Sequence, residues 1–318
     1  MLNFSLVALL CIIWGSTWLG IKIGLEDFPP FLSAGIRFVI ASVVLFLIAR
    51  VQKARFPKDL STCFRICVTT IFMYVATYIL VYWGAQYISS GLASVLFSTH
   101  PFFVALFAHS ILSAERFTLA KGMGLLLGVA GVLVIFSERL GLGPDLAFWG
   151  MVALVASAAT SGYASVLVKR YLTELSPIVL TSMQMALAAL IILSLGLLTE
   201  DMRAMRFTPS SVGSLLYLSL VGSALAFSLY YWLLKRMEAT RLAIIAFATP
   251  VVALFLGWAT YGEKIDTRTI LGTVLVFLGI YVVNYSSIRS RKLWNVTGKR
   301  ETEDRETGDT REFDHTAR

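Results

Sequence analysis

Few side chains in this sequence can do chemistry inside an apolar medium, and each stands where it can be weighed alone. His100 immediately precedes Pro101 in an otherwise apolar stretch. Imidazole titrates near neutral pH, so His100 suits either a proton carrier or a hydrogen-bonded structural role. Arg37 lies about two helical turns inside the second apolar run, and Lys22 closes the first. Together they can attract a carboxylate or phosphate; the preferred reading is that Arg37 pairs with Glu26 or Asp27 while Lys22 reaches to the interface. Every Asp and Glu falls in a loop, at the end of an apolar run or in the C-terminal tail, so no buried carboxylate relay is expected. The sequence holds no H-E-x-x-H, no G-x-S-x-G and no phosphate-gripping glycine loop, which argues against an enzyme and against ATP-driven work. Cys11, Cys63 and Cys67 read as buried thiols, with no disulfide framework, metal site or cofactor expected.

The elements that position these residues are apolar. Hydrophobic residues make up 57% of the chain and charged ones 14%, with a mean hydropathy of +0.77, far from a water-soluble domain. Ten apolar runs are predicted to be membrane-spanning helices: 5–24, 31–49, 66–86, 91–112, 119–137, 147–168, 177–198, 211–233, 240–261 and 269–287. No Lys or Arg precedes Lys22, so the first run reads as a span rather than a signal peptide. The net charge of +8 is dispersed among short loops, which is no nucleic-acid footprint. Arg50, Lys53, Arg55, Lys58, Arg65, Arg116 and Lys121 exemplify the side richer in Lys and Arg, and that bias places both termini in the cytoplasm of a multi-pass (inner) cell-membrane protein. Residues 289–318 are read as a disordered cytoplasmic tail.

The runs repeat. Tyr82-Trp83, Pro101, Glu115, Gly124 and Gly131 return as Tyr231-Trp232, Pro250, Glu263, Gly272 and Gly279, at offsets of 149 and then 148 residues. Gly15, Lys22 and Pro30 return as Gly162, Lys169 and Pro177, at an offset of 147. Residues 1–138 and 146–288 then form two repeats of five spans. An odd number of spans makes the second copy enter the membrane from the opposite side. The expected fold class is therefore an all-α integral membrane bundle of ten helices in two inverted five-helix repeats, an arrangement that secondary transporters use.

Candidate cavity residues follow from polarity and aromaticity at span interiors: Trp14, Ser16, Thr17, Tyr74, Tyr78, Thr99, Ser161, Tyr163 and Thr249, with Arg37 and His100. Gln184 replaces Arg37 in the second repeat, so a basic site would be one-sided and suit an anionic or zwitterionic substrate. Pro101 and Pro250 delete a helical hydrogen bond and are candidate hinges; a kink re-satisfied by Ser98, Thr99 and Thr249 is the plainer reading. Tyr82-Trp83 and Tyr230-Tyr231-Trp232 read as interfacial aromatic anchors, and Gly124 with Gly128 as a helix-packing surface.

Trp14-Gly15-Ser16-Thr17-Trp18, Lys22-Ile23-Gly24-Leu25, Pro29-Pro30-Phe31 and Arg37, with the two copies of Pro, Glu, Gly and Gly, resemble EamA-type transporters of the drug/metabolite transporter superfamily over residues 4–287. The resemblance implies that the first four helices of each repeat surround a central cavity and the fifth braces the outside. It also implies export of a small organic metabolite such as an amino acid, or of a drug. An uptake permease and a non-transporting sensor or embedded enzyme are the alternatives. The expected partners are a small-molecule substrate and the lipid bilayer, with either a monomer or a homodimer open.

Overall fold

The computed structural model describes residues 2–112, 119–140, 145–237, 239–242, 245–263 and 266–282, and these residues contain helices and no strand. The helices are α1 (Leu2–Asp27), α2 (Pro30–Val51), α3 (Leu60–Gly84), α4 (Ser90–Ile111), α5 (Leu119–Leu140), α6 (Leu146–Tyr171), α7 (Pro177–Thr199), α8 (Pro209–Arg236), α9 (Ile245–Tyr261) and α10 (Thr267–Val282). A single turn, Ala239–Leu242, precedes α9. Seven helices, α1 to α4 and α6 to α8, are long and apolar enough to cross a membrane. The apolar stretches of the other three, Gly122–Ser137, Ala248–Tyr261 and Thr267–Val282, are shorter. Glu115 and the tail expected at 289–318 lie outside the described residues.

Helix starts are written in the sequence. Pro30, Pro177 and Pro209 occupy first-turn positions, where the missing N–H has no helical partner anyway. Asp59, Ser89, Asp145 and Thr208 cap α3, α4, α6 and α8 with side-chain oxygens. Two distant glutamates reinforce these starts. Glu200 accepts the backbone N–H groups of Phe31 and Leu32, both at 2.8 Å, and Glu263 accepts those of Ser90 at 2.8 Å and Gly91 at 3.2 Å. A carboxylate there meets the positive end of the helix dipole, and it ties a loop to a helix more than 160 positions away.

Three interior irregularities matter. α4 is interrupted at Ser98 and Thr99, so Pro101 sits in the first turn of a new helix, Ile111 being its end. Pro250 instead lies inside an unbroken α9. α3 and α8 each contain a six-residue π-helical stretch, Ile71–Ala76 and Leu220–Leu225, whose starts are 149 positions apart. π turns leave carbonyls to other partners, and they concentrate at functional places.

Glycine permits one close crossing, at two points of contact. A Cβ on Gly131 would stand 2.6 Å from the Gly272 carbonyl and 2.8 Å from the Val276 nitrogen, while one on Gly279 would meet the Gly124 carbonyl and the Gly128 backbone. α5 and α10 thus cross backbone to backbone, as the spacing of Gly124, Gly128 and Gly131 predicts. The perimeter is apolar, with Ile12, Leu47, Leu126, Phe255 and Trp258 more than half exposed, which suits a lipid-facing surface.

The aromatic pairs depart from expectation. Tyr82, Tyr230 and Tyr231 are buried at 0, 6 and 3% exposure, so they are not interfacial anchors. Their hydroxyls find polar partners inside the bundle, which removes the need to reach water.

Candidate functional site

A cavity of about 110 Å³ lies at the centre of the bundle. α1 lines it with Trp14, Thr17, Trp18 and Ile21, the i, i+3, i+4, i+7 stripe of one helical face. Met73, Thr77, Tyr78 and Val81 come from α3, and Phe97 and His100 flank the break in α4. Ser161 and Ser165 project from α6, Phe227 and Tyr230 from α8. Leu242, from the turn before α9, and Ile245, Ala246 and Thr249 of α9 complete the wall, and Arg37 comes from α2.

Most of the wall comes in pairs related by the offsets of the sequence repeat. Trp14 and Ser161, and Trp18 and Ser165, are 147 positions apart. Tyr78 and Phe227, Val81 and Tyr230, Phe97 and Ala246, and His100 and Thr249 are 149 apart. Position is shared in these pairs while chemistry often is not: an indole corresponds to a hydroxyl in two of them and an imidazole to a hydroxyl in another, whereas Tyr78 and Phe227 are both aromatic.

The polar groups form two clusters. On one side Tyr230 donates to Ser165 Oγ at 3.0 Å, and Ser165 donates to the Ser161 carbonyl at 2.9 Å. His100 Nε2 lies 3.5 Å from Ser165 Oγ, a long contact, and its ring stacks on Phe97 at a centroid distance of 6.0 Å. On the other side Arg37, 1% exposed, donates through Nε to Ser223 Oγ at 2.7 Å, through Nη1 to Tyr82 Oη at 3.3 Å and through Nη2 to the Gly222 carbonyl at 3.4 Å. Its guanidinium also sits 5.1 Å from the Tyr78 ring centroid. Ser223 and Gly222 belong to the π stretch of α8, so that irregularity supplies two of the three acceptors.

Of the residues predicted from sequence, Trp14, Thr17, Arg37, Tyr78, His100, Ser161 and Thr249 line the cavity. Five do not. Ser16 turns away, donating to the carbonyls of Ile12 and Ile13 and bonding Tyr217. Tyr74 is fully buried behind the wall, its hydroxyl 3.4 Å from that of Tyr231. Thr99 bonds the Leu96 carbonyl at 2.7 Å, filling the helix break. Tyr163 packs edge-on against Phe72 and Phe107. Gln184 is held between Thr69 and Tyr231. The expected pairing of Arg37 with Glu26 or Asp27 does not occur: Asp27 accepts from Thr208 instead, and among the described residues no carboxylate pairs with Arg37. Phe97, Ser165 and Phe227 also line the cavity without being sequence candidates, as does Trp18, which the sequence marks only as part of the family motif. Applying the repeat offset and the i, i+4 step to Trp14 would have found Trp18 and Ser165.

The two ends of the bundle differ. Lys169 donates to the carbonyls of Leu234 at 2.6 Å and Met237 at 2.9 Å, closing the end of α8. Its counterpart Lys22 makes no such bond to a described residue; it borders a second hollow of about 630 Å³ with Gln86, Ser89, Glu263 and Asp266. No group of three or more metal-ligating side chains occurs among the described residues; of the three free thiols only Cys11 is buried as expected, Cys63 being half-buried and Cys67 exposed.

The family model described as the EamA-like transporter family matches this chain twice, over residues 2–137 and 148–285. A protein named uncharacterized transporter YoaV, of Bacillus subtilis, is 29% identical over 280 residues, 88% of this chain and 96% of its own. An uncharacterized transporter of Archaeoglobus fulgidus is 30% identical over 284 residues, 89% and 99% of the two chains. The uncharacterized inner membrane transporter YedA of Escherichia coli is 26% identical over 289 residues, covering 88% and 92%. A protein crystal structure at 20% identity superposes with a TM-score of 0.65 over 88% of this chain and 95% of that one, a likeness of fold.

Proposed function

The chain belongs to the EamA-like transporter family, and on that premise we propose that it is a secondary carrier exporting a small organic metabolite by alternating access. In this reading all ten apolar helices span the bilayer, as inverted repeats over 1–138 and 146–288. The protein sits in the inner membrane with both termini in the cytoplasm, as the Lys and Arg distribution suggests. Export follows from the family resemblance, and uptake is the same machine run the other way.

The observation that carries the reading is the pairing across the cavity. Six pairs at the repeat offsets face one central space, which is where an inverted-repeat carrier puts its substrate. The reciprocal glycine contacts support the same symmetry: Gly131 meets Gly272, and Gly279, its counterpart, meets Gly124. A two-fold relation requires that exchange of partners.

Lys169 and Lys22 suggest how the two states differ. One end of the bundle is latched by Lys169 on the end of α8. The equivalent carbonyls at the other end belong to Ala85 and Ile88, and Ile88 borders the hollow that also contains Lys22. Rocking the repeats would release Lys169 and seat Lys22. Pro101 and the interrupted turn before it, with Pro250 in α9, are the hinges on which such a motion would run.

Counterflow in proteoliposomes against a panel of amino acids and drugs tests the reading. Accumulation of a labelled compound driven by the same compound inside is expected for at least one member; folded protein that moves none contradicts it.

A further inference from the structure

Arg37 carries a charge that its surroundings do not need. Its counterpart Gln184 occupies the matching place with neutral chemistry: Tyr231 donates to Gln184 Oε1 at 2.8 Å, as Tyr82 meets Arg37, and Gln184 Nε2 donates to Thr69 on α3, as Arg37 reaches Ser223 on α8. An uncharged amide therefore joins the helices equally well. Gln184 does not border the cavity, and Arg37 does.

The guanidinium has five N–H donors, and three contacts use three of them, two at 3.3 and 3.4 Å. Two donors are left without an acceptor among the described residues, and the charge meets only the Tyr78 and Phe38 rings, at 5.1 and 5.8 Å from their centroids, with no group of opposite sign there. A charge that is 1% exposed and unpaired is unfavourable in an apolar interior unless something supplies the counter-charge. Trp14, on the same cavity wall, holds a buried indole N–H that also lacks an acceptor. Both unmet groups are donors.

We propose that Arg37 is the anion subsite of the cavity and that the cargo is an amphipathic monoanion, its carboxylate on Arg37 and its apolar body among Trp14, Trp18, Phe97 and Phe227. A single cation balances a single negative charge; a phosphate dianion would leave one charge uncompensated. The planar fork of arginine matches a carboxylate through two parallel hydrogen bonds. This inference rests on the carrier reading above for its direction of use, but the subsite can be tested apart from it.

The test uses the full chain in detergent micelles with 3-phenylpropionate and 3-phenylpropanamide, which share a shape and differ in charge, read by intrinsic tryptophan fluorescence. The acid is expected to bind the wild type about ten-fold or more tighter than the amide. Arg37→Gln, which copies the second repeat, is expected to abolish that preference. Should that variant not fold, Arg37→Lys keeps the charge and loses the fork, and is expected to weaken the acid several-fold while leaving the amide unchanged. Wild-type protein that shows no preference, including binding of neither probe at millimolar concentration, overturns the subsite, as does a preference that survives Arg37→Gln. Counterflow of the same probes separates the two ideas. Binding of the acid without its exchange contradicts the carrier; exchange of the amide as fast as the acid contradicts the subsite alone.

Discussion

Lys169 Nζ donates to the Leu234 carbonyl at 2.6 Å, so a cation near the end of α6 holds the last turn of α8. The bond is charge-assisted and is shared with the Met237 carbonyl at 2.9 Å. Lys169→Met is expected to lower stability by about 1–2 kcal/mol. Hydrogen exchange should quicken at residues 234–237 and stay unchanged at 85–88; equal protection at both ends before and after would count against the latch.

Glu263 ties the loop before α10 to the start of α4 through the Ser90 and Gly91 backbone and the Ser90 hydroxyl. Glu263→Ala should cost about 0.5–2 kcal/mol, the usual range for a lost N-terminal cap. Glu263→Gln keeps one acceptor and should lose less. Thermal unfolding in detergent gives the order wild type, Gln, Ala; a reversal of the last two would show that the cap is not the cause.

At the crossing of α5 and α10 the obstacle to any side chain is backbone. A Cβ on Gly131 would stand 2.6 Å from the Gly272 carbonyl, which cannot rotate away. Gly131→Ala is expected to destabilise by about 1–3 kcal/mol, and Gly131→Leu by more. Gly213→Ala is the control, since nothing lies within 4 Å of the place its methyl group would take. Comparable losses at both sites would refute close crossing as the reason.

Ser223 accepts from Arg37 Nε at 2.7 Å, and removing it leaves a buried charged donor unmet. Ser223→Ala should cost about 1–3 kcal/mol. Thr69→Val removes the matching acceptor of neutral Gln184 and should cost less. Unfolding of both variants without ligand tests the contrast.

Much of the fold is legible in the sequence because lipid imposes long apolar runs, and Pro30, Pro177 and Pro209 mark helix starts by a local rule. The α4 break at Ser98 and Thr99 is only half legible: Pro101 announces a lost hydrogen bond, but whether the helix bends or restarts depends on tertiary neighbours. The π stretches of α3 and α8 leave no composition signal. They arise where Thr77 bonds the Phe72 carbonyl and Arg37 takes that of Gly222, contacts that exist only after packing. Direction of approach is likewise hidden: Ser16 and Thr17 are adjacent, yet only Thr17 reaches the cavity, and Tyr82 and Tyr231 look like interfacial anchors until their hydroxyl partners are seen.

Alternating access requires that one wall position be reached from both sides of the membrane. Thr249 lines the cavity and is 8% exposed, and cysteine is close to threonine in size. In a chain with Cys11, Cys63 and Cys67 replaced by serine, Thr249→Cys should react with a membrane-impermeant thiol reagent applied to either face of sealed vesicles. Lys169→Met should speed labelling from the face on which Lys169 lies. Labelling confined to one face, or absent from both in folded protein, would contradict the account.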